Sequence, residues 1–586
     1  MMPALEDRLR INNRTPHSRI VTASGCRATT LETILLYSRL IPEIGIFTTK
    51  SIGPRPNQGN PAPIYCAADP AKYGDSARSN AVGLANPGYE VFESELAGLR
   101  RKSPDLNGAL LLGSVYGADL SEIVMVAKAL APHLDAVEIN FSCPHAKGYG
   151  FDTGTDADNM ARIVDAVCKA AGKDVFAKLS PNLADDDLGA IAKACVDAGA
   201  RGISVINTVG PVKTFLPGTD IPVLYNGVGG LSGRVVEERG WECVRIVRES
   251  VGAMPLIIGM GGVFSGDDAR DYFGAGADFI GLGTAMEGFR SDQLAAYVRQ
   301  LRLDIDENTD LAGLMLPECV RLQYRGFRID EMSECSDDLR VFTFDEALEP
   351  FAEPGQYVFL AVPGDDSHPT MEAPFSVPID DPLTLAVRRY PRGGRENHFT
   401  SRLWEKRQGD TLFVRGPYGM PFNQGDMLTL VGGGTGVAVL ASIAARHPNH
   451  VAFIGAKSGG ELLFQDEFSA RDTFIATDDG SAGYHCFVTD SFEKNYNYDG
   501  MSDIVICGPL PMMTRAVEIA RSKGFTDRDI HVVLEPYMKC GVGICGGCAL
   551  IDGSIACTDG HIVTADRFMA AVKKGRVKRM PDGGWE

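Results

Sequence analysis

The sequence is short of positive charge. Lys and Arg number 57 against 76 Asp and Glu, so the formal net charge at pH 7 is −19. A surface of that sign repels nucleic acid and anionic lipid, and neither is expected as a main partner. The segment Met1–Arg10 also lacks the pattern of a secretory leader. Because 14 cysteines accompany that absence, we expect a cytoplasmic protein whose thiols stay reduced.

Long apolar runs are also missing, with one near exception. No residue is charged from Met427 to Ala445, a length close to the ~20 residues that cross a membrane. The run contains Gly432-Gly433-Gly434-Thr435-Gly436, and glycines in such number favour a strand, a tight turn and a buried helix. No membrane-spanning segment is therefore predicted. At 586 residues the chain has room for roughly three or four domains of about 150 residues each.

Four cysteines near the carboxyl terminus have a spacing with a chemical meaning. Cys540, Cys545 and Cys548 follow a C-x4-C-x2-C pattern, and Cys557 lies downstream. This spacing is typical of plant-type [2Fe–2S] centres, which need four thiolates for two irons. Glycines between these cysteines let backbone N–H groups approach the sulfurs. Zinc favours paired C-x2-C ligands at wider separation. A disulfide conflicts with a reducing compartment, and ordinary buried cysteines remain the third alternative.

The first three hundred residues alternate short apolar runs with helical patterns such as Leu120–Ala131 and Leu188–Ala198. Eight such runs predict a (β/α)8 TIM barrel, with a doubly wound sheet as the alternative. The runs are Arg19–Gly25, Gly45–Lys50, Ala109–Val115, Ala136–Cys143, Val175–Pro181, Gly202–Thr208, Leu256–Gly262 and Phe279–Thr284.

Polar residues and glycines collect where these predicted strands end. Glycine-rich loops follow strands seven and eight at Gly259–Gly262 and Gly281–Thr284, and another follows strand six at Gly229–Gly233. Barrels commonly bind phosphate through backbone N–H groups of such loops. The pattern predicts a phosphate-bearing ligand at the carboxyl end of the barrel.

Residues 19–290 resemble the catalytic subunit of the NAD-linked (class 1B) dihydroorotate dehydrogenases. The resemblance rests on five pieces of sequence: Lys50-Ser-Ile-Gly-Pro-Arg-Pro-Asn-Gln-Gly-Asn-Pro61, Asn80-Ala-Val-Gly-Leu-Ala-Asn-Pro-Gly88, Asn140–Pro144, Val205-Ile-Asn-Thr208 and Gly259–Gly262. It implies FMN held by Ser24, Gly25, Lys50, Asn140, Lys178, Ser232, Gly233, Gly261, Gly262, Gly283 and Thr284. It implies a pyrimidine substrate held by Lys50, Asn80, Asn140, His145, Asn207 and Thr208, with Val82, Gly83 and Leu84 near its carboxylate.

The same resemblance assigns catalysis to Cys143 and Lys178. Oxidising a saturated C–C bond beside a carbonyl needs a hydride acceptor for one carbon and a base for the proton on the other. The resemblance makes Cys143 that base, and a thiol of ordinary pKa near 8.5 needs modest tuning to serve near neutral pH. Without the resemblance, the preferred interpretation of Cys143 is a small buried residue in a turn before Pro144.

One position departs from the dihydroorotate pattern. The dihydroorotate enzymes usually read Ser-Cys-Pro-Asn, but this chain has Ser142-Cys-Pro-His145. That reading resembles dihydropyrimidine dehydrogenase, which reduces uracil and thymine. The alternative function is therefore reduction of uracil, thymine or another dihydropyrimidine. A third hypothesis is an electron-transfer protein whose barrel is inactive.

Residues 319–586 resemble the ferredoxin-reductase-like electron-transfer subunit of the same enzymes, with an FAD-binding β-barrel, a Rossmann-like NAD domain and a [2Fe–2S] domain. The matching pieces are Pro354–Tyr357, Gly416–Gly419, Gly432–Gly436, Asp478–Ser481, Cys507–Pro509 and the cysteine loop introduced by Glu535. The turn of Gly432, Gly433, Gly434, Thr435 and Gly436 follows an apolar strand and precedes a helix, as a pyrophosphate site requires.

The FAD motif also departs from its family. It usually reads Arg-Pro-x-Ser, whereas this chain has Ala373 before Pro374, Phe375 and Ser376. Arg388 or Arg389, on the next strand-like run, is the candidate for the missing charge, and Arg389 is our choice.

The predicted architecture is α/β with five segments: a TIM barrel over 1–303, a linker over 304–318, a β-barrel over 319–426, a nucleotide domain over 427–530 and a cluster domain over 531–586. The predicted function is oxidation of dihydroorotate, with electrons passing from FMN through [2Fe–2S] and FAD to NAD. The resemblance also implies a homodimer formed through the barrels.

Overall fold

The computed structural model describes residues 8–142, 155–307, 322–389, 399–468, 472–497, 500 and 502–577. Within these ranges the strands form a closed barrel, two seven-stranded sheets and two small accessory sheets. No described helix is both long and apolar enough to cross a membrane. The neutral run from Met427 to Ala445 instead forms a strand, a turn and a helix, as predicted.

The amino-terminal domain is a closed barrel of eight parallel strands, which confirms the predicted TIM barrel. Its strands are β1 Ile20–Thr22, β2 Ile44–Thr48, β3 Leu110–Val115, β4 Ala136–Asn140, β5 Asp174–Lys178, β6 Gly202–Val205, β7 Leu256–Met260 and β8 Phe279–Leu282. Its helices are α1 Leu31–Leu40, α2 Tyr89–Lys102, α3 Leu120–Leu130, α4 Ala157–Ala171, α5 Asp185–Asp197, α6 Glu237–Val251, α7 Gly266–Ala275 and α8 Ser291–Glu307.

Most of these strands end before the predicted apolar runs do. In β1 the ladder stops at Thr22 and in β6 at Val205, so that residues 23–25 and 206–208 leave the sheet at its carboxyl end. These residues carry the polar groups and glycines expected of a binding site. The sequence pattern therefore predicted strand and site as one continuous run, because apolar residues continue into the loops.

The barrel extends further along the chain than predicted. Helix α8 runs to Glu307, so residues 304–307, assigned to the linker, belong to the barrel. Asp304 is buried, and its carboxylate accepts a hydrogen bond from Gly266 N at 2.7 Å and contacts Arg270. The acidic residue that suggested a solvated linker instead joins α8 to α7.

A small antiparallel sheet lies at the carboxyl end of the barrel. Its strands, in order, are Val209–Val212, Gly229–Ser232, Arg78–Asn80 and Tyr65–Ala67. A two-residue pair, Pro56–Asn57 with Asn86–Pro87, lies on the same stretch of chain, and a short helix spans Pro70–Tyr73. These insertions carry several of the predicted substrate residues.

The second domain is a seven-stranded antiparallel sheet with one helix. The strands are β9 Arg325–Ser336, β10 Leu339–Phe344, β11 Tyr357–Val362, β12 Met371–Ser376, β13 Ile379–Asp380, β14 Leu383–Arg388 and β15 Thr411–Tyr418, and the helix is α9 Phe399–Trp404. Their order is β12-β11-β15-β9-β10-β14-β13. Inward side chains from these strands share one core. Among the described residues the two edge strands, β12 and β13, do not pair with each other. The sheet is therefore not closed by hydrogen bonds into the predicted β-barrel.

The third domain is a doubly wound sheet. Its strands are β16 Leu428–Gly433, β17 His450–Ala456, β18 Thr473–Thr477, β19 Tyr484–His485, β20 Asp503–Cys507, β21 Ile530–Val533 and β22 Ile562–Thr564. The order is β19-β18-β17-β16-β20-β21-β22, parallel except for β22. Its helices are α10 Val437–Ala444, α11 Val488–Asn495, α12 Leu510–Lys523, α13 Ala556–Asp559 and α14 Ala565–Lys573.

The predicted boundary at 530 falls inside this sheet. Strand β21 starts at Ile530, and β22, which follows the cysteine loop, pairs with it through Val532 and Val563. The cysteine-rich segment is therefore inserted between two strands of the nucleotide-type sheet rather than forming a separate sheet. That insertion fixes the cysteine loop to a rigid support.

Candidate functional site

A cavity opens at the carboxyl end of the barrel strands. Every predicted barrel site residue that the structure describes lines it: Ser24, Gly25, Lys50, Asn80, Val82, Gly83, Leu84, Asn140, Lys178, Asn207, Thr208, Ser232, Gly233, Gly261, Gly262, Gly283 and Thr284. Active sites of TIM barrels lie at this face, because the loops there project from all eight strands.

A chain of hydrogen bonds orients the two amide side chains of the cavity. Asn140 Nδ2 donates to Ser51 Oγ at 3.0 Å, and Asn140 Oδ1 accepts from Ser142 Oγ at 3.0 Å. Asn207 Nδ2 in turn donates to Ser142 Oγ at 2.9 Å. The amides from β4 and the β6 loop are thus held in fixed orientations, as recognition of a flat ring with alternating donors and acceptors requires.

Two lysines bring positive charge into the same cavity. Lys178, at the end of β5, is 4 % exposed, and Lys50 is half-buried after β2. Both ammonium groups act on the thiol of the half-buried Cys26: desolvation raises its pKa to about 11, and the lysines oppose that rise. Two cations in one cavity, one of them buried, favour an anionic ligand or a ring that gains negative charge during reaction.

Part of the cavity wall is glycine backbone. Gly25, Gly233, Gly261 and Gly262 all have positive φ angles, which other residues adopt rarely. A Cβ atom at Gly25 would meet no protein atom within 4 Å. Thr284 Oγ1 donates to Ser232 Oγ at 3.0 Å beside them. At Gly233, Gly261 and Gly262 a Cβ atom would instead contact Ser76, Ile206 and Glu237, so packing within the protein requires those glycines. Glycine loops with hydroxyls nearby fit the phosphate of a flavin mononucleotide.

The predicted carboxylate strip Val82–Leu84 is held by a neighbouring loop. Asn60 N donates to Val82 O at 3.1 Å, and Asn60 Nδ2 donates to Ala81 O at 2.8 Å. Asn57 Nδ2 donates to Gly83 O at 3.0 Å. Asn80 Nδ2 donates to Gly230 O at 3.1 Å, joining the strip to the accessory sheet.

The predicted catalytic Cys143 and the substrate residue His145 lie outside the described residues, and their roles stay predictions. Several cavity residues were not predicted from the sequence. Ser51 and Tyr65 lie next to or near predicted positions, and Met260 and Phe264 flank the predicted glycines. The one feature that could have indicated these four residues is that each lies close to a predicted site residue or loop. Ile544 carried no such signal, because it reaches the cavity from the cysteine loop more than 250 residues further along the chain.

The four predicted ligand cysteines converge in a buried loop. Cys540, Cys545, Cys548 and Cys557 are each at most 6 % exposed. Hydrogen bonds link their thiols, and those from Cys545 and Cys557 hold the pKa of Cys540 well below its usual range. Gly543 N donates to Cys557 Sγ at 3.1 Å, and Gly547 N donates to Cys545 Sγ at 3.5 Å. Amide donors to sulfur of this kind are typical of iron–sulfur loops.

Two buried hydroxyls near this loop have no hydrogen-bond partner within the described ranges: Thr29 Oγ1 and Tyr357 Oη. Tyr357 is close enough to Cys557, Cys548 and Cys540 for their charge, together with burial, to raise its pKa. Thr29 packs against Gly546. Unpaired buried hydroxyls cost about 1–3 kcal/mol each, so they fit a loop that surrounds additional acceptor atoms. In the described part of the chain no three metal-ligating side chains stand ready for a metal ion, so the cluster assignment rests on spacing, donors and family.

The cysteine loop docks directly on the barrel. Arg27 N donates to Ile544 O at 3.0 Å, and Gly288 N donates to Val542 O at 2.9 Å. Ser291, at the start of α8, donates to Asp559 from both its backbone and its hydroxyl, at 2.6 and 2.7 Å. Ile544 thereby forms part of the wall of the barrel cavity.

The predicted FAD residues lie at the end of edge strand β12. Pro374, Phe375 and Ser376 are half-buried there, and the Phe375 ring contacts Phe399. Arg388 is not available for a nucleotide, because it forms ion pairs with Asp338 at 2.8 Å and with Glu461 at 2.5 Å. Arg389 lies over the Trp404 ring, with 5.4 Å between its Cζ and the ring centroid. Of the two candidates, Arg389 is the one without a carboxylate partner among the described residues.

The glycine turn lies where a nucleotide-binding sheet requires it. Gly432 and Gly433 end β16, the central strand, and Gly434-Thr435-Gly436 turns into helix α10. Gly434 has φ +57°, and a Cβ atom there would meet nothing within 4 Å, so the turn faces open space. The order of strands reverses at β16, and doubly wound sheets bind ligands at such points.

Comparison with known proteins identifies two regions of the chain. Residues 9–299 match the family model described as dihydroorotate dehydrogenase, and residues 535–569 match the model described as the iron–sulfur cluster binding domain of dihydroorotate dehydrogenase B. The second match contains all four predicted cysteines.

Curated relatives match the barrel. The catalytic subunit of dihydroorotate dehydrogenase B (NAD(+)) from Methanocaldococcus jannaschii is 36% identical over 275 residues, which cover 46% of this chain and 86% of that protein. The corresponding Enterococcus faecalis subunit is 37% identical and covers 45% and 81%. Dihydroorotate dehydrogenase A (fumarate) from Lacticaseibacillus paracasei is 39% identical and covers 41% and 79%. A solved dihydroorotate dehydrogenase from Eimeria tenella in complex with ferulenol is 23% identical, with a TM-score of 0.43, over 52% of this chain and 85% of that one.

The fold and the cavity define a TIM-barrel protein with a ligand site at the carboxyl end of its strands. The chain belongs to the dihydroorotate dehydrogenase family and carries the iron–sulfur domain of the B type. Membership supports FMN in the barrel and an iron–sulfur cluster in the carboxyl-terminal domain. Because both NAD-linked and fumarate-linked relatives match the barrel, the barrel alone does not identify the electron acceptor.

Proposed function

We propose that this chain oxidises dihydroorotate to orotate and passes the electrons through FMN, a [2Fe–2S] cluster and FAD to NAD+. The observation that carries the proposal is the position of Ile544. This residue precedes the cluster cysteine Cys545 and also lines the barrel cavity. The proposed flavin site and the cysteine loop therefore share one wall. Single electrons can cross such a wall, whereas hydride cannot.

In the barrel, Ser24, Lys178 and the glycine loops would hold FMN, which when bound supplies a hydride acceptor. Asn140 and Asn207, fixed through Ser142, would orient the pyrimidine ring. The backbone of the Val82–Leu84 strip would offer N–H groups to a ring carboxylate. The Cys143 thiolate is the proposed base, and it would take the proton from the ring carbon next to the one that loses hydride.

In the carboxyl-terminal half, Cys540, Cys545, Cys548 and Cys557 are the proposed cluster ligands. We assign FAD to the edge of the antiparallel sheet at Pro374, Phe375 and Ser376, with Arg389 on its phosphate. NAD is assigned to the turn Gly432–Gly436 at the carboxyl end of β16. In domain terms, 1–307 would be the flavin domain, 322–426 the FAD domain and 427–577 a nucleotide domain that contains the cluster loop.

A second candidate is NAD(P)H-dependent reduction of uracil, thymine or a related pyrimidine. Ser142-Cys-Pro-His145 favours it, since the dihydroorotate enzymes usually have Asn at the last position. A third, electron transfer with an inactive barrel, is opposed by the lysines and amides that converge in the cavity.

The deciding experiment begins with the purified holoprotein, in which FMN, FAD, iron and sulfide are quantified. Under anaerobic conditions, dihydroorotate with NAD+ is compared with uracil plus NADH or NADPH, and the flavin absorbance is followed. Oxidation of dihydroorotate supports the first proposal. Turnover of uracil with no response to dihydroorotate would promote the second.

Two variants locate the steps. Cys545→Ser should let dihydroorotate bleach FMN while NAD+ reduction collapses, whereas Cys335→Ser, a half-buried cysteine in β9, should behave as wild type. Cys143→Ala should slow flavin reduction by roughly 10²–10⁴-fold and leave NADH oxidation by artificial acceptors intact. Normal NAD+ reduction by an iron-free Cys545→Ser protein would refute the relay.

We also propose a homodimer through the barrels, which light scattering of the holoprotein tests.

A further inference from the structure

Two arginines that are almost completely buried flank the cysteine loop, one on each side. Arg27, from the loop after β1, is 0 % exposed, and Arg415, from β15, is 1 % exposed. Arg27 approaches from the side of the flavin cavity and Arg415 from the antiparallel sheet. A buried guanidinium remains protonated, so each brings a full charge toward the loop.

Arg415 is neutralised by a carboxylate. Its Nη2 and Nε donate to the two oxygens of Glu372 at 2.7 and 2.9 Å, and neither side chain of this pair is exposed. Its remaining donors reach Tyr418 Oη at 3.0 Å and the carbonyl oxygens of Cys540 and Lys539 at 3.0 and 3.1 Å. The Arg415–Glu372 pair therefore supports the loop but adds little net charge beside it.

Arg27 has no such partner. Its guanidinium donates to the carbonyl oxygens of Met286, at 2.9 Å, and Phe289, and to the hydroxyls of Tyr37 and Thr558 at 3.4 and 3.3 Å. All of these acceptors are neutral. Across the described ranges Arg27 forms no ion pair.

The charge of Arg27 lies directly against the loop. A Cβ atom at Gly543 would come within 2.6 Å of Arg27 Cζ, so only glycine lets the chain pass there. The N–H of the same Gly543 donates to Cys557 Sγ at 3.1 Å. Thr558, which accepts from Arg27, is the residue after Cys557. Asp559 and Cys557 both act electrostatically on the guanidinium.

We propose that Arg27 is the counter-ion of the iron–sulfur cluster and raises its reduction potential. The inference rests on the proposed function, because it assumes the cluster bound by the four cysteines. Reduction adds one negative charge to a centre that four thiolates already make anionic, and net charge is among the factors that set such potentials. A buried cation that forms no ion pair stabilises the added charge strongly, since little solvent screens it. Arg27 is not among the residues that line the barrel cavity, so it would act through the cluster, as a positioning residue.

The test compares three variants of the full-length holoprotein with wild type: Arg27→Gln, Arg27→Lys and Asp559→Asn. The measurement is the reduction potential of the cluster, from a dye-mediated titration that follows its electron paramagnetic resonance signal. An opposite charge at ~4–6 Å changes a proton equilibrium about ten- to a thousandfold, and we expect a comparable effect here. Arg27→Gln should disfavour cluster reduction by about tenfold or more. Arg27→Lys should stay near wild type, and Asp559→Asn should shift the equilibrium in the opposite direction.

Iron and sulfide analysis accompanies each titration, because a structural effect would appear there first. An Arg27→Gln protein with full iron content and an unchanged potential would overturn the proposal. An Arg27→Lys protein whose cluster potential falls as far as that of Arg27→Gln would also overturn it. If Arg27→Gln loses its cluster, Asp559→Asn decides: a shift toward easier reduction supports the proposal, and no shift refutes it. Wild-type protein without iron would instead refute the proposed function itself.

Discussion

Lys539 links the cysteine loop to the predicted substrate strip. This residue precedes Cys540 and is 5 % exposed. Its ammonium donates to the carbonyl oxygens of Gln58 and Asn60 at 3.3 and 2.9 Å. Asn60 in turn holds the strip at Val82. We predict that Lys539→Met weakens pyrimidine binding in the barrel, although Lys539 belongs to the carboxyl-terminal half.

The magnitude follows from these contacts. A hydrogen bond from a charged group contributes about 1.5–3 kcal/mol, and methionine keeps the length of the side chain while removing both donors. Part of that loss falls on folding rather than binding, because the loop is anchored by other bonds as well. We therefore expect the lower end of the range to reach the site, which corresponds to about a tenfold loss of affinity for orotate.

The assay measures the dissociation constant of orotate from the change it causes in the flavin spectrum, without turnover. Lys574→Met, at an exposed position, controls for the lost charge. FMN and iron contents are determined in parallel, so that loss of a cofactor is not mistaken for loss of affinity. If Lys539→Met retains both cofactors and binds orotate like wild type, the loop does not couple the two halves.

Three further predictions concern stability and cofactor retention. Glu372→Gln leaves Arg415 buried without its carboxylate, which should destabilise the protein by about 3–5 kcal/mol. The loss should appear as a lower midpoint of thermal unfolding, and an unchanged midpoint would contradict the pairing. Burial and a neighbouring carboxylate raise the pKa of Glu237 from 4.5 to about 7, so the folded state loses stability as the pH rises through that window. Glu237→Gln should therefore melt higher than wild type at pH 8 and equally at pH 4; a constant difference would exclude the titration. In Gly546→Ala the new Cβ atom would lie 1.5 Å from Thr29 Oγ1, so the iron content should fall. Adding Thr29→Ala to this variant should restore part of the iron. A normal iron content in Gly546→Ala alone would show that the loop adjusts.

Sequence reasoning located the barrel well because parallel strands buried on both faces are continuous apolar runs. Each of the eight predicted runs overlaps a strand of the barrel. The predicted site residues after those strands line one cavity together with residues of the accessory sheet, and their binding roles stay predictions. The roles of Cys143 and His145 stay predictions, as does the binding of FAD and NAD in the second half.

Contacts between segments that lie far apart in the chain could not be predicted from the sequence. Nothing in the residues around Ile544 indicates that it closes a cavity made by residues near positions 24 and 283. No motif in the sequence includes Arg27, and its burial follows from the docking of the cysteine loop on the barrel. The boundary at 530 was misplaced because β22, which completes the sheet, follows the cysteine loop in the chain. These features depend on packing between domains, which the local periodicity of a sequence does not predict.

The place of Ile544 in two sites has a thermodynamic consequence. If the cluster loop keeps its shape only when metal is bound, its closure of the cavity helps to retain the flavin. Linkage then requires the flavin to help retain the cluster by the same factor. Apoprotein rebuilt with both cofactors together should fill each site at lower concentrations than protein given either alone, because the two occupancies share one wall.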